Sequence, residues 1–126
     1  MKLLLDTHVL LWWLEGGERL APSAADAIGN PDNAATVSAA SVWEIEIKRA
    51  KGLLSSPDDL LDQIATADFQ MLAIDARHAT AAARLPSHHR DPFDRLLVAQ
   101  AVAEDAVLVT GDEALAAYGV SMLAAR

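Results

Sequence analysis

The stretch MKLLLDTHVLLWWLEGG, residues 1–17, admits two readings, and the choice between them decides the fold. As a leader peptide it has a basic start and an apolar run. Asp6 and His8 interrupt that run, however, and no small-residue cleavage site follows cleanly. As structure, Lys2–Leu5 is a short apolar strand ending in Asp-Thr, a helix-start signal. Val9–Leu14 is then a helix apolar on every side, which must be buried all round or serve an interface. Glu15-Gly-Gly ends it. The structural reading is preferred, and it begins the chain with a strand–helix unit.

The same alternation continues outward. Pro22–Ile28 reads as a short helix and Gly29-Asn-Pro-Asp-Asn as a turn. Ala34–Ser38 is a second strand. Ser41–Lys51 reads as a helix, with Ser41 and Glu44 in capping-box spacing and Gly52 as the stop. Pro57–Ala67 reads as a helix with Asp58 and Asp59 in its first turn. Phe69–Ile74 is a strand candidate, and Asp75 caps a helix that runs to about Leu85. Pro92–Asp105 is a helix, Ala106–Val109 a buried strand, Asp112 a start for a short helix, and Gly119–Leu123 a last strand. Strands alternating with helices predict an α/β fold with a parallel sheet and helices on both faces.

With 126 residues and 52% hydrophobic content, the chain is expected to form one domain, residues 1–126, with a real core. There is no cysteine, which excludes disulfides, zinc–thiolate sites and cysteine nucleophiles. A reducing cytoplasm fits. No apolar run approaches the roughly 18 residues that span a bilayer. The net charge of −8 argues, taken alone, against a nucleic-acid partner. There is no phosphate-binding GKS/GKT loop and no GxGxxG.

The acids carry the chemistry. Ligands of open α/β sheets bind beyond the carboxyl ends of the strands. Asp6 follows Leu3-Leu4-Leu5 and Asp112 follows Val107-Leu108-Val109. Glu44 is near the start of the helix after the second strand, and Asp94 in the first turn of the helix after His89-Arg90. In a parallel sheet all four fall on one edge. Two carboxylates about 5 Å apart repel by roughly 3 kcal/mol at an effective dielectric near 20, so such a cluster needs protons or cations. Carboxylates completed by water form the ligand set of Mg²⁺ or Mn²⁺. Each acid also has a purely structural reading. Asp6 and Asp112 suit helix caps, and Glu44 suits a partner for Ser41 or Lys48. Asp91 before Pro92 matches an N-cap with proline at the first helical position. Asp91 is expected to start the helix, and Asp94, in its first turn, suits closing that turn as well as serving the site.

Four stretches then carry a resemblance. LLLDTHVLLW, SAASVWEIEIKRAKG, LPSHHRDPFDRLLVAQA and LVTGDEALAAYG, in this order and with Asp94 and Asp112 eighteen residues apart, resemble the PIN-domain ribonucleases. The similar subgroup is the VapC-type toxins of toxin–antitoxin modules. The resemblance implies a three-layer fold with a central parallel sheet of about five strands. It implies a Mg²⁺ (or Mn²⁺) site formed by Asp6, Glu44, Asp94 and Asp112, with Thr7 and Thr110 beside it as substrate-binding hydroxyls. It implies hydrolysis of RNA phosphodiester bonds, a cognate antitoxin as partner and a homodimer. His8 stands where the wider family often has Asn or Ser.

The acidic balance is compatible with an RNA substrate if charge is local. Lys48, Arg49 and Lys51 follow Glu44, and Arg90 and Arg95 surround Asp91 and Asp94. Lys48, Arg90 and Arg95 are the expected phosphate-binding rim; solvated helix faces account for them equally well. Trp12 or Trp13 is expected at an interface, either a dimer contact or a groove for an antitoxin segment. His88 and His89 leave open a metal-free cleavage through the RNA 2′-hydroxyl. A phosphotransfer protein would need a late lysine, and none follows Lys51. A non-catalytic module of the same fold would keep the acids without hydrolysis.

Overall fold

The computed structural model describes residues 1–126. Five strands form one sheet: β1 (Lys2–Leu5), β2 (Ala34–Ser38), β3 (Gln70–Leu72), β4 (Val107–Thr110) and β5 (Met122–Ala124). Their order is β3-β2-β1-β4-β5, and every neighbouring pair is parallel. Six α-helices connect them: α1 (Thr7–Leu14), α2 (Pro22–Gly29), α3 (Ala39–Ala50), α4 (Leu60–Thr66), α5 (Ala76–Arg84) and α6 (Pro92–Ala103). A 3-10 helix, Glu113–Tyr118, joins β4 to β5. The parallel α/β sheet of about five strands is as expected.

Strand pleating explains the three layers. Leu3, Leu4 and Leu5 of the central strand are fully buried, and alternate residues point to opposite faces. Leu3 and Leu5 enter a core with Val9, Leu10, Val37, Ile45 and Ile64. Leu4 enters a second core with Leu97, Val98, Leu108 and Leu115. Helices on both faces are therefore needed to cover the sheet. No helix is long and apolar enough to cross a membrane.

Several boundaries differ from expectation for local reasons. α3 begins directly after β2, because the Ser38 hydroxyl accepts the Ala40 N–H at 3.0 Å and is the cap. Ser41 is thus inside the first turn, and Glu44 is not its capping-box partner. α4 starts at Leu60, so Asp62, not Asp58, lies in its first turn; Asp58 instead pairs with Arg49. The segment after Asp112 winds as a 3-10 helix and is closed by Gly119 in the left-handed region, φ 70°.

The apolar helix α1 is largely absorbed by the core. Val9, Leu10 and Leu11 are buried, while Trp12, Trp13 and Leu14 are half-buried against the larger cluster. Trp13 packs on Phe69 with ring centroids 6.1 Å apart. The broadly exposed tryptophan is Trp43, at 62%, on α3.

Candidate metal centre

The chain runs from β1 to one side of the sheet and returns to β4 on the other. The carboxyl ends of β1 and β4 therefore bound the switch-point crevice. Asp6, Glu44, Asp94 and Asp112 all line one cavity of about 490 Å³ there. The expected convergence of acids from residue 6 to residue 112 is what the fold produces.

Each acid is held by its own element. Asp6 caps α1: Oδ1 accepts the Val9 N–H at 2.8 Å, and Oδ2 accepts the Thr110 hydroxyl at 2.5 Å. Glu44 is 4% exposed and projects from the middle of α3. Its Oε1 accepts the Thr7 hydroxyl at 2.6 Å, and its Oε2 pairs with Lys48 Nζ at 2.6 Å, one helical turn on. Asp112 caps the 3-10 helix by accepting the Ala114 N–H at 3.0 Å. Its own N–H donates to Thr110 Oγ1 at 3.1 Å. Asp94 stands in the first turn of α6. Asp91 starts that helix as expected: its Oδ1 accepts the Phe93 N–H at 2.8 Å and the Asp94 N–H at 3.4 Å. Asp91 also lines the cavity. The structural and chemical readings of Asp6 and Asp112 are therefore compatible, since one oxygen caps while the side chain still borders the crevice.

The electrostatics are those of an overfilled acidic pocket. Burial, then the neighbouring Asp91 charge, pushes Asp94 up to about 7. Burial also raises Asp6, against the lowering effect of the Thr110 hydrogen bond. The hydrogen bond to Glu44 raises Lys48. Both upward shifts have one cause: a buried carboxylate loses solvation on ionising and is repelled by its acidic neighbours. Clustered hard oxygen donors with excess negative charge fit Mg²⁺ or Mn²⁺.

The expected rim is only partly assembled. Thr7 and Thr110 donate to acids and are buried at 4% and 1%. Lys48 lines the cavity. Arg90 is exposed and does not line it. Arg95 is turned away: its guanidinium donates to the carbonyls of Ala82, Leu85 and Pro86, each at 2.9 Å. The expected substrate contact for Arg95 is thus corrected, because those carbonyls consume the fork of donors. His88 packs edge-on against Tyr118, 5.1 Å between centroids, and does not line the cavity. His8 borders the cavity, with its ring 6.0 Å from that of Trp12.

Two further residues reach the crevice. Arg126 lines it and lies over the Trp12 ring, 4.6 Å from the centroid. A terminal arginine carries no local signal of this. His89 Nε2 is 3.1 Å from Asp112 Oδ2 and 3.5 Å from Asp94 Oδ2. Its position two residues before the N-cap Asp91 and five before Asp94 is the available signal.

Comparison with known proteins agrees with the fold. The PIN domain family matches residues 3–120. The chain is 34% identical over 123 residues to ribonuclease VapC22 of Mycobacterium tuberculosis (strain ATCC 25618 / H37Rv), covering 91% of this chain and 90% of that protein. Its fold is similar to VapBC2 from Rickettsia felis bound to a promoter DNA fragment, with TM-score 0.68, 14% identity and full coverage of both chains. It is also similar to a toxin–antitoxin complex from Klebsiella pneumoniae, with TM-score 0.67, 20% identity and coverage of 95% and 94%.

Proposed function

This chain belongs to the PIN domain family, and from that premise we propose that it is a metal-dependent endoribonuclease acting as the toxin of a toxin–antitoxin pair. The observation that carries the proposal is the meeting of Asp6, Glu44, Asp94 and Asp112 in one crevice at the sheet's switch point. These four carboxylates would hold Mg²⁺ or Mn²⁺. When bound, the ion supplies an activated water and offsets charge developing on the phosphoryl oxygens of RNA.

The chain's own groups have distinct tasks in this reading. The Thr110 hydroxyl occupies one oxygen of Asp6 and the Thr7 hydroxyl one oxygen of Glu44, fixing carboxylate orientation. Lys48 neutralises Glu44 and presents a cation at the cavity wall where a phosphate arrives. Arg90, exposed beside the helix that carries Asp94, extends the contact along the RNA backbone. The negative net charge is tolerated because the phosphate-facing cations are local.

The relatives' names supply the partner side. The Klebsiella neighbour is a toxin–antitoxin complex, and an antitoxin is proposed as the protein partner of this chain too. A segment of it would bring an arginine to the acidic crevice, where a planar guanidinium suits paired carboxylates. A homodimer, a cytoplasmic location and a single domain spanning residues 1–126 belong to the same proposal.

The test is RNA cleavage with Mg²⁺ or Mn²⁺ against EDTA, in wild type and in Asp94→Asn. Cleavage that needs the ion and falls at least about 100-fold in the variant, beyond the usual cost of losing an outer-shell group, is expected. RNA binding without cleavage in any metal would leave only a non-catalytic module.

A further inference from the structure

His89 is placed by backbone before it meets any carboxylate. Its N–H donates to the Tyr118 hydroxyl at 2.9 Å, and its carbonyl accepts from Arg95 at 3.4 Å. Its ring nitrogen Nδ1 accepts the Asp91 N–H at 3.1 Å. A nitrogen that accepts a hydrogen bond carries no proton, so the neutral ring bears its hydrogen on Nε2. Nε2 is the atom that faces Asp112 at 3.1 Å and Asp94 at 3.5 Å.

The spacing invites a different assignment. Ligand atoms of His89, Asp94 and Asp112 lie within 4.8 Å of one another, as in a metal triad. A histidine that ligates through Nε2 must carry its hydrogen on Nδ1 and find an acceptor for it. Here Nδ1 faces an N–H donor. Ligation would set two donors against each other and break the bond that holds the ring. The peptide N–H of Asp91 therefore disfavours the ligand role and favours the donor role.

We propose that His89 is a positioning residue that stays outside the coordination sphere: its Nε2–H donates to Asp112, with Asp94 alongside, and holds the Asp112 carboxylate ready for a divalent ion. The proposal rests on the metal reading of the crevice given above. It gives the Asp-Pro-Phe-Asp turn a second task, because the amide of Asp91 sets the histidine tautomer while its side chain starts α6. It also links the segment after β4 to the start of α6 through one imidazole.

The test is imidazole ¹⁵N NMR of the intact protein without metal and then saturated with Mg²⁺, joined to Mg²⁺ titration of His89→Gln, His89→Asn and His89→Ala. The expected spectrum shows hydrogen on Nε2 in both states. Glutamine, whose amide N–H reaches the Nε2 position, is expected to keep Mg²⁺ affinity within about twofold. Asparagine and alanine are expected to lose about tenfold or more, the usual cost of an outer-shell orienting group. Hydrogen on Nδ1 in either state, or glutamine binding Mg²⁺ as weakly as alanine, would overturn the proposal. Failure of the wild type to take up Mg²⁺ at all would instead strike the metal reading, while the metal-free spectrum still decides the tautomer.

Discussion

The Thr110 hydroxyl donates to Asp6 Oδ2 at 2.5 Å across the seam between β4 and β1, tying the last acid-bearing strand to the first. Thr110 also accepts the N–H of Asp112, so one hydroxyl serves two of the four acids. Thr110→Val keeps shape and removes this link. Asp6 then loses the hydrogen bond that opposes its burial, and its carboxyl shifts further up. Mg²⁺ affinity by calorimetry is expected to fall 10- to 100-fold or so. Stability is expected to fall by about 1–3 kcal/mol, the cost of a lost bond to a buried charged group. Unchanged Mg²⁺ affinity would show that Thr110 serves the fold only.

Arg95 supports the segment that leads into the site. Its guanidinium reaches the carbonyls at the end of α5 and in the turn after it, Ala82, Leu85 and Pro86. Lysine has neither the planar fork nor enough donors to replace it. Arg95→Lys is expected to lower the midpoint of urea unfolding by an amount worth about 2 kcal/mol, while RNA affinity under metal saturation stays near wild type. A variant with native stability and weakened RNA binding would return Arg95 to the substrate rim.

The sequence conveys the order of layers more readily than the contents of the crevice. β1 was readable because Leu3-Leu4-Leu5 is apolar on both faces, which only a central strand needs. The acids were readable because strand ends and helix starts in a parallel sheet share an edge. The start of α3 is ambiguous in sequence because Ser38 and Ser41 are both good caps, and only the absence of a loop after β2 selects Ser38. The role of Arg95 is hidden because its carbonyl partners come from the end of α5 and a turn whose path is set by tertiary packing. Arg126 reaches the crevice by chain direction after β5, which no local pattern encodes.

Asp91 and Asp94 differ in what substitution removes. Asparagine is as good an N-cap as aspartate, so Asp91→Asn should preserve the start of α6. It also removes the charge that helps raise Asp94. Asp94→Asn removes a proposed ligand. Mn²⁺ titration is expected to show a loss of at least about 100-fold for Asp94→Asn and no more than about tenfold for Asp91→Asn. Equal losses would make both side chains ligands and erase the division of labour.

Metal-free stability should carry the mark of Asp94. Its carboxyl ionises near 7 in the folded protein against an ordinary value of 3.8, so the folded state keeps a proton that the unfolded chain releases. Stability from this group is present in acid, declines as pH rises from about 4 to about 7, and levels off above that. The raised carboxyl of Asp6 acts in the same direction. A divalent ion competes with those protons, so its affinity should climb with pH over the same window and its binding should release protons. Denaturant unfolding at several pH values, with and without Mg²⁺, reads both effects. Asp94→Asn, which cannot ionise, is expected to flatten most of the metal-free slope. A slope that survives intact in that variant would place the retained proton on another residue.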